Sequence, residues 1–241
     1  MKRTFLTGIS ASMPTTPISP LVWAWIISTL ISALVFTSAS SLDIGFSSIF
    51  FDGQIFPAAN VAMLEIIRQI IWKTAVVFAL LSLLGTIFGL CQRKLFWLDP
   101  RQWYFSALLF LTGPVLIVNE GFKKFWGRAR PAEILEFGGS KVFTPALVPA
   151  DQCERNCSFV SGEGSGAVAL AVVVWVLTSR IAHDRLRIAI RISAILCAVT
   201  GSFLRIVTGR HFLSDSVFAA LIVLGIALLL RPILPSLQRR L

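Results

Sequence analysis

Six long apolar runs divide the chain, at roughly 21–40, 71–90, 103–119, 165–181, 187–204 and 212–230, with polar stretches between them. Each is close to the span of about 20 apolar residues that a helix needs to cross a bilayer. Apolar residues continue all the way round each predicted helix instead of forming one stripe, which suits a helix surrounded by lipid. The short alternating segments of a closed membrane barrel are absent. The pattern therefore predicts an all-α protein, a six-transmembrane-helix bundle. No internal repeat, low-complexity tract or long linker interrupts it, so 1–241 reads as a single domain.

The polar stretches refine this. Residues 42–70, within SLDIGFSSIFFDGQIFPAANVAMLEIIRQ, mix aromatic residues with a few charges and read as an interfacial segment, with an amphipathic helix on the membrane surface as one form it can take. Pro114, in LTGPVLIV, predicts a kink in the third span. Met1, Lys2 and Arg3 ahead of the first run resemble the start of a signal peptide. That run is long and lacks an obvious small-x-small cleavage site before the polar loop, so it reads as an uncleaved span.

Composition agrees: 56% hydrophobic and 14% charged residues are far from soluble averages. The net charge of +10 invites a nucleic-acid reading, but no soluble basic domain exists to carry it. The charge instead tracks topology. With six spans, Lys2, Arg3, Arg93, Lys94, Arg101, Arg180, Arg185, Arg187, Arg231, Arg239 and Arg240 all fall on one side, which the positive-inside rule makes the cytoplasm together with both termini. The bilayer and its anionic headgroups are the expected neighbours. Oligomeric state is not readable.

The opposite face carries 42–70, 120–164 and the turn at 205–211. It holds Cys153 and Cys157, in CERNC, which suit a disulfide in an oxidising periplasm better than a metal site, since no further Cys or suitably spaced His lies nearby. Cys91 and Cys197 read as ordinary small apolar residues.

Three polar clusters converge on that same face: KKFWGRARP (123–131), NCSFVSGEGSGA (156–167) and GSFLRIVTGRHFLSD (201–215). Each has a plain explanation. Lys and Arg snorkel to headgroups, Ser161 and Glu163 suit a helix cap, and His211 with Asp215 suits a local hydrogen-bonded pair. Yet basic residues here run against the orientation rule, and taken together the clusters meet the needs of phosphoryl chemistry. Charge spreads over a phosphoryl group's oxygens as it transfers, and positive side chains and oriented amides stabilise it. Lys123, Arg130 and Arg205 supply the charge. The small residues at Ser161 and Gly162 let helix-start amides approach an anion. Neutral His211 can attack phosphorus, and Asp215, four residues on, shares its helix face if 211–215 forms the first turn of the sixth helix. His183 lies on the cytoplasmic side and takes no part.

Lys123 with six residues before Arg130-Pro131, then Ser161-Gly162, then Arg205 with five residues before His211 and three more before Asp215, resemble the three-part signature of the type 2 phosphatidic acid phosphatase superfamily. That resemblance implies a lipid phosphatase without metal or other cofactor, with His211 as nucleophile, Asp215 as its orienter, and Lys123, Arg130, Ser161, Gly162 and Arg205 on the phosphate. Two positions depart from the pattern. Leu204 stands where a Ser is usual, and Glu163 where the family has a histidine that protonates the leaving oxygen. Glu163 can take that catalytic role only if its pKa is raised, and three nearby cations push the other way. The alternative is that it orients a cation or water.

Within the superfamily, GPVLIVNEGFKKFWGRARP, FGGSKVFTPALVPADQC and NCSFVSGE are similar to the lipid A phosphatases of Gram-negative bacteria, the 4'-phosphatase type in particular. This implies lipid A or a related phosphorylated membrane lipid as substrate, at the periplasmic face of a bacterial inner membrane. The lipid A 1-phosphate, phosphatidylglycerol phosphate and undecaprenyl diphosphate are alternatives with the same chemistry. A catalytically silent relative that binds anionic lipid is the non-enzymatic one. Transport is disfavoured, because the spans lack polar residues along their length and show no inverted repeat.

Overall fold

The computed structural model describes residues 19–93, 95–96 and 98–234. Lys2, Arg3, Lys94, Arg239 and Arg240, used above for orientation, lie outside the described residues. The fold is all-α, and six helices are long and apolar enough to cross a membrane: Pro20–Ser38, Ala62–Leu90, Pro100–Phe125, Gly162–Arg180, Asp184–Val207 and Leu213–Ile233. Large apolar side chains including Leu30, Leu34, Leu80, Val199 and Leu229 are exposed on them. In water that exterior would be an aggregating surface; in lipid it is the matched one. The chain is a multi-pass membrane protein.

Local chemistry sets the helix starts. The first span, α1 (Pro20–Ser38), has proline at its first position, where no amide hydrogen is needed. The helix α4 (Pro100–Phe110) opens on a capping box. Asp99 accepts from the Arg101 amide at 2.9 Å, and Gln102 accepts from the Asp99 amide at 3.2 Å. The fourth span, α6 (Gly162–Leu177), is capped by Ser161, whose hydroxyl accepts from the Gly164 amide at 3.1 Å.

Two expectations change in form. The segment 42–70 is not one interfacial element. Ser41–Ser48 forms a short helix, α2, and the second span, α3, already begins at Ala62. Phe50, Phe51 and Phe56 between them pack with Ile134, Phe137, Phe143 and Phe212 in an aromatic cluster outside the spans. Those aromatic residues therefore hold loops together. At Pro114 the third span widens into a π-helix, Leu111–Phe122, before the last helical turn, α5 (Lys123–Phe125). Proline removes one backbone donor from this stretch, and the Asn119 side-chain amide donates to the Pro114 carbonyl at 2.8 Å within the widened turn.

The fourth span is the most enclosed, packed among α3, α4, α7 (Asp184–Val207) and α8 (Leu213–Leu230). Its first turns are Gly, Ser and Ala, all buried apart from half-buried Glu163, and small residues let helix backbones approach closely in lipid. Below them Ala169, Leu170 and Val173 pack with Phe105, Leu109, Phe110 and Val223. The start of α6 is thereby fixed against the ends of its neighbours.

Candidate active site

Backbone hydrogen bonds tie the three polar clusters together. The Cys157 amide donates to the Lys123 carbonyl at 3.3 Å and the Ser158 amide to the Arg128 carbonyl at 2.9 Å, joining the first cluster to the second. The Ser161 amide donates to the Asp215 carbonyl at 3.2 Å, joining the second to the third. The Ala132 amide donates to the Gly209 carbonyl at 3.0 Å, closing the ring. Gly209 has a φ of 65°, the left-handed conformation that favours glycine, in the turn linking α7 to α8.

Lys123, Arg130, Arg205, Ser161, Gly162, His211 and Asp215 accordingly gather at one end of the bundle. Lys123 and Arg130 are 9% exposed and share a partner: Lys123 Nζ donates to Asn156 Oδ1 at 2.8 Å, and an Arg130 terminal nitrogen donates to the Asn156 carbonyl at 2.7 Å. Cys153 and Cys157, either side of that loop, stand as a disulfide with Cα atoms 5.6 Å apart. A Cβ on Gly162 would lie 3.0 Å from Lys123 Cε and 2.9 Å from Asn119 Oδ1, so the lysine stem and the asparagine amide would have to shift to admit one. Ser161 still has its own O–H to give. Arg205, in the last turn of α7, has a buried Nε with no hydrogen-bond partner.

His211 lies just ahead of α8 and not within its first turn, since the helix begins at Leu213. Its amide donates to the Arg205 carbonyl at 3.0 Å, and its Nδ1 is 3.6 Å from Asp215 Oδ2, ion-pair range but too long for a hydrogen bond. Asp215 is fixed from several sides. Oδ1 accepts from Arg128 at 2.6 Å; Oδ2 accepts from the Ser158 hydroxyl at 2.5 Å and the Phe212 amide at 2.8 Å. Arg128 is wholly buried. It also donates to the Thr144 carbonyl at 2.8 Å, to the Ser214 hydroxyl at 2.9 Å and to Asp43 at 2.8 Å, and stacks 4.3 Å from the Phe212 ring centre.

Burial decides the electrostatics outside the spans. It pushes the His211 imidazole down to about 4, against the pull of Asp215 and with help from the Lys123 and Arg205 charges. It lowers Arg130 and raises Asp43, Arg128 partly offsetting the latter. The unfolded chain takes a proton on this histidine near 6.5 and the folded ring refuses it until about 4, so acidification through that window favours unfolding. The chain has two histidines, which makes this measurable. In ¹⁵N-histidine spectra in detergent, assigned with His183→Gln, the His211 ring is expected to remain neutral at pH 6; a ring half-protonated there contradicts the burial argument.

Glu163 lies between two arginines. Its Oε1 accepts from Arg68, on α3, at 2.7 Å and lies 3.7 Å from an Arg205 terminal nitrogen. Sequence reasoning missed Arg68, Arg128, Asp43, Asn156 and Ser158. A signal existed for two of them. Arg68 is an ionisable residue at the edge of the second apolar run, where a charge at a span can mark a site; Arg128 sits inside the basic cluster. Asp43 lies 85 positions from Arg128, with nothing in the sequence to join them.

Residues 103–239 match the PAP2 superfamily. Three proteins named lipid A 4'-phosphatase are similar to this chain. That of Rhizobium leguminosarum is 30% identical over 228 residues, covering 85% of this chain and 94% of its own, and that of Rhizobium etli is 30% identical over 228 residues, 85% of each. That of Francisella tularensis subsp. novicida is 36% identical over 120 residues, 50% of this chain and 52% of its own, so that alignment spans about half of it. No solved structure matches. A match to more than half the chain, with its three polar clusters gathered at one end of six apolar helices, means that the chain belongs to the PAP2 superfamily.

Proposed function

We propose that this chain is a single-domain lipid phosphatase of the bacterial inner membrane that removes a phosphate from lipid A, the 4'-phosphate in particular, at the periplasmic face. The family and the relatives' names support a phosphoric monoester hydrolase. The observation that carries the reading is the convergence of Lys123, Arg130 and Arg205 on the buried His211–Asp215 pair. A phosphate monoester bears about −1.5 to −2 charges at neutral pH, and these three cations with the amides at the start of α6 are its complement.

In this reading His211 Nε2 attacks phosphorus. The P–N bond forms as the bond from phosphorus to the sugar oxygen breaks, and water then cleaves the phosphohistidine to release inorganic phosphate. Burial keeps the ring neutral and nucleophilic, and Asp215 stabilises the positive charge that develops on it, holding Nδ1 on its own side. Three cations supply the positive charge, so the step needs no metal. Glu163, gripped by Arg68, is arranged to order cations and not to donate a proton; the leaving oxygen takes its proton from water. The basic residues at the opposite end, Arg93, Arg101, Arg180, Arg185, Arg187 and Arg231, support a cytoplasmic location for that end and for the termini.

The test is phosphate release from bis-phosphorylated lipid A by the purified protein in detergent with a chelator present, the product located by mass spectrometry. Loss of the 4'-phosphate is expected. Loss of the 1-phosphate would change the position, and activity only on phosphatidylglycerol phosphate or undecaprenyl diphosphate would change the substrate. Silence on all would leave the non-catalytic relative.

A further inference from the structure

Four charged side chains alternate in sign from the outer surface of α3 to the phosphate-binding cluster. Glu65, half-turned to solvent, accepts from Arg68 through both the Nε and a terminal nitrogen, and its Oε1 also accepts from the Gln69 side-chain Nε2 at 2.9 Å. The remaining terminal nitrogen of Arg68 donates to Glu163 at 2.7 Å, and Glu163 faces Arg205 at 3.7 Å. Among the described residues Glu163 is the only carboxylate within ion-pair distance of Arg205, whose Nε is buried without a partner.

The asymmetry of those two distances matters. Glu163 is a flexible side chain, 24% exposed, beside three cations that must stay available to phosphate. Left to itself, its carboxylate would close on the Arg205 guanidinium and occupy the donors an incoming phosphate needs, because charge-assisted pairs strengthen as they shorten. Arg68 takes the short contact instead. Gripped in turn by the Glu65 fork, it keeps Glu163 close enough to offset the repulsion among the cations and too far to block them.

We propose that Arg68 is a positioning residue of the phosphate site, which acts through Glu163 to keep Arg205 free for substrate. The role rests on the phosphatase reading above for what the site binds. It also accounts for a departure from the family pattern. A histidine at position 163 needs no cationic partner, whereas a carboxylate there needs one outside the phosphate site, and α3 provides it. Glu163 and Arg68 form a matched pair.

The experiment is binding of inorganic phosphate to the purified full chain in detergent by calorimetry, with wild type, Arg68→Ala, Glu163→Gln and the double variant, each checked by thermal unfolding. Arg68→Ala is expected to weaken phosphate binding about tenfold, within the range of coupling for side chains in contact. In the Glu163→Gln background the same change is expected to cost less than about twofold, because the carboxylate it restrains is gone. Arg68→Lys, which keeps the charge, restores most of the affinity, and Arg68→Gln replaces the alanine variant if that protein does not fold. Equal weakening in both backgrounds would mean that Arg68 touches phosphate itself and overturns the proposal, as would no weakening in either. Wild type that binds no phosphate overturns this role together with the phosphate reading. Coupling that holds in a protein inactive on every lipid sinks only the activity.

Discussion

Replacing His211 with alanine is expected to abolish phosphate release, by about 10⁴-fold or more in kcat, the scale seen when a nucleophile is removed from a cooperating set. The ring is 1% exposed, its amide is anchored on the Arg205 carbonyl, and Asp215 lies beside Nδ1, so a neutral, nucleophilic ring is held in one orientation. The cations remain in the variant, which is therefore expected to bind inorganic phosphate still. Phosphate binding and release, measured on the same preparation, separate a lost nucleophile from a lost fold. Rapid acid-free quenching of wild type with ³²P-labelled lipid A is expected to trap label on the protein, and none on His211→Ala. Substantial turnover by the variant would remove the phosphohistidine route.

The second large effect falls on a residue that touches no substrate. Arg128→Met is expected to destabilise the protein by about 3–5 kcal/mol, the range for removing one partner of a buried ion pair. Arg128 faces two carboxylates, Asp43 and Asp215, whose side chains are 1% and 0% exposed. Without the guanidinium, two like charges remain buried near each other, and Asp43, already raised by burial, would take up a proton more readily still. Lysine does not substitute, because one ammonium cannot reach Asp43, Asp215, Ser214 and the Thr144 carbonyl in the directions a planar fork covers. Unfolding in detergent followed by tryptophan fluorescence gives the midpoint. Adding Asn at position 43 to the Met variant is expected to recover part of the loss, since it removes one orphaned charge. An Arg128→Met protein as stable as wild type would mean that the network is dispensable.

These predictions link α2 to catalysis. Asp43 accepts from the Ser214 amide at 2.9 Å and from the Ser214 hydroxyl, which steadies the start of α8. Arg128 connects that start to Asp215, and Asp215 sets the imidazole. The segment that follows α2 is held down by the aromatic cluster of Phe50, Phe51 and Phe56. An outer segment thus fixes the geometry of the proposed nucleophile.

How much of this was readable in the chain depends on the range of the interaction. The six spans follow from apolar runs, because in lipid the backbone must satisfy itself within each helix and composition alone decides which segments can do so. Their ends were less readable. Ala62–Leu90 begins nine residues before the apolar run at 71–90, since Arg68 and Gln69 both bond to Glu65 and let a polar turn continue the helix. Pro114 marked a disturbance, but not its form as a π-helix over Leu111–Phe122.

For the site, spacing within each cluster carried the chemistry: Lys123 to Arg130, Ser161 to Gly162, Arg205 to His211 and Asp215 are short-range relations that a linear pattern records. The sequence by itself therefore determined the all-α membrane architecture and the kinds of residue available for phosphate chemistry. Only the tertiary structure decided their partners. Asp43 with Arg128, Arg68 with Glu163 and Asn156 with Lys123 are pairs 85, 95 and 33 positions apart. The physical reason is that a buried charge is tolerated only when an opposite charge or a hydrogen-bonding group meets it. Which one does so is set by how six helices pack around the small residues of α6, and no local pattern encodes that.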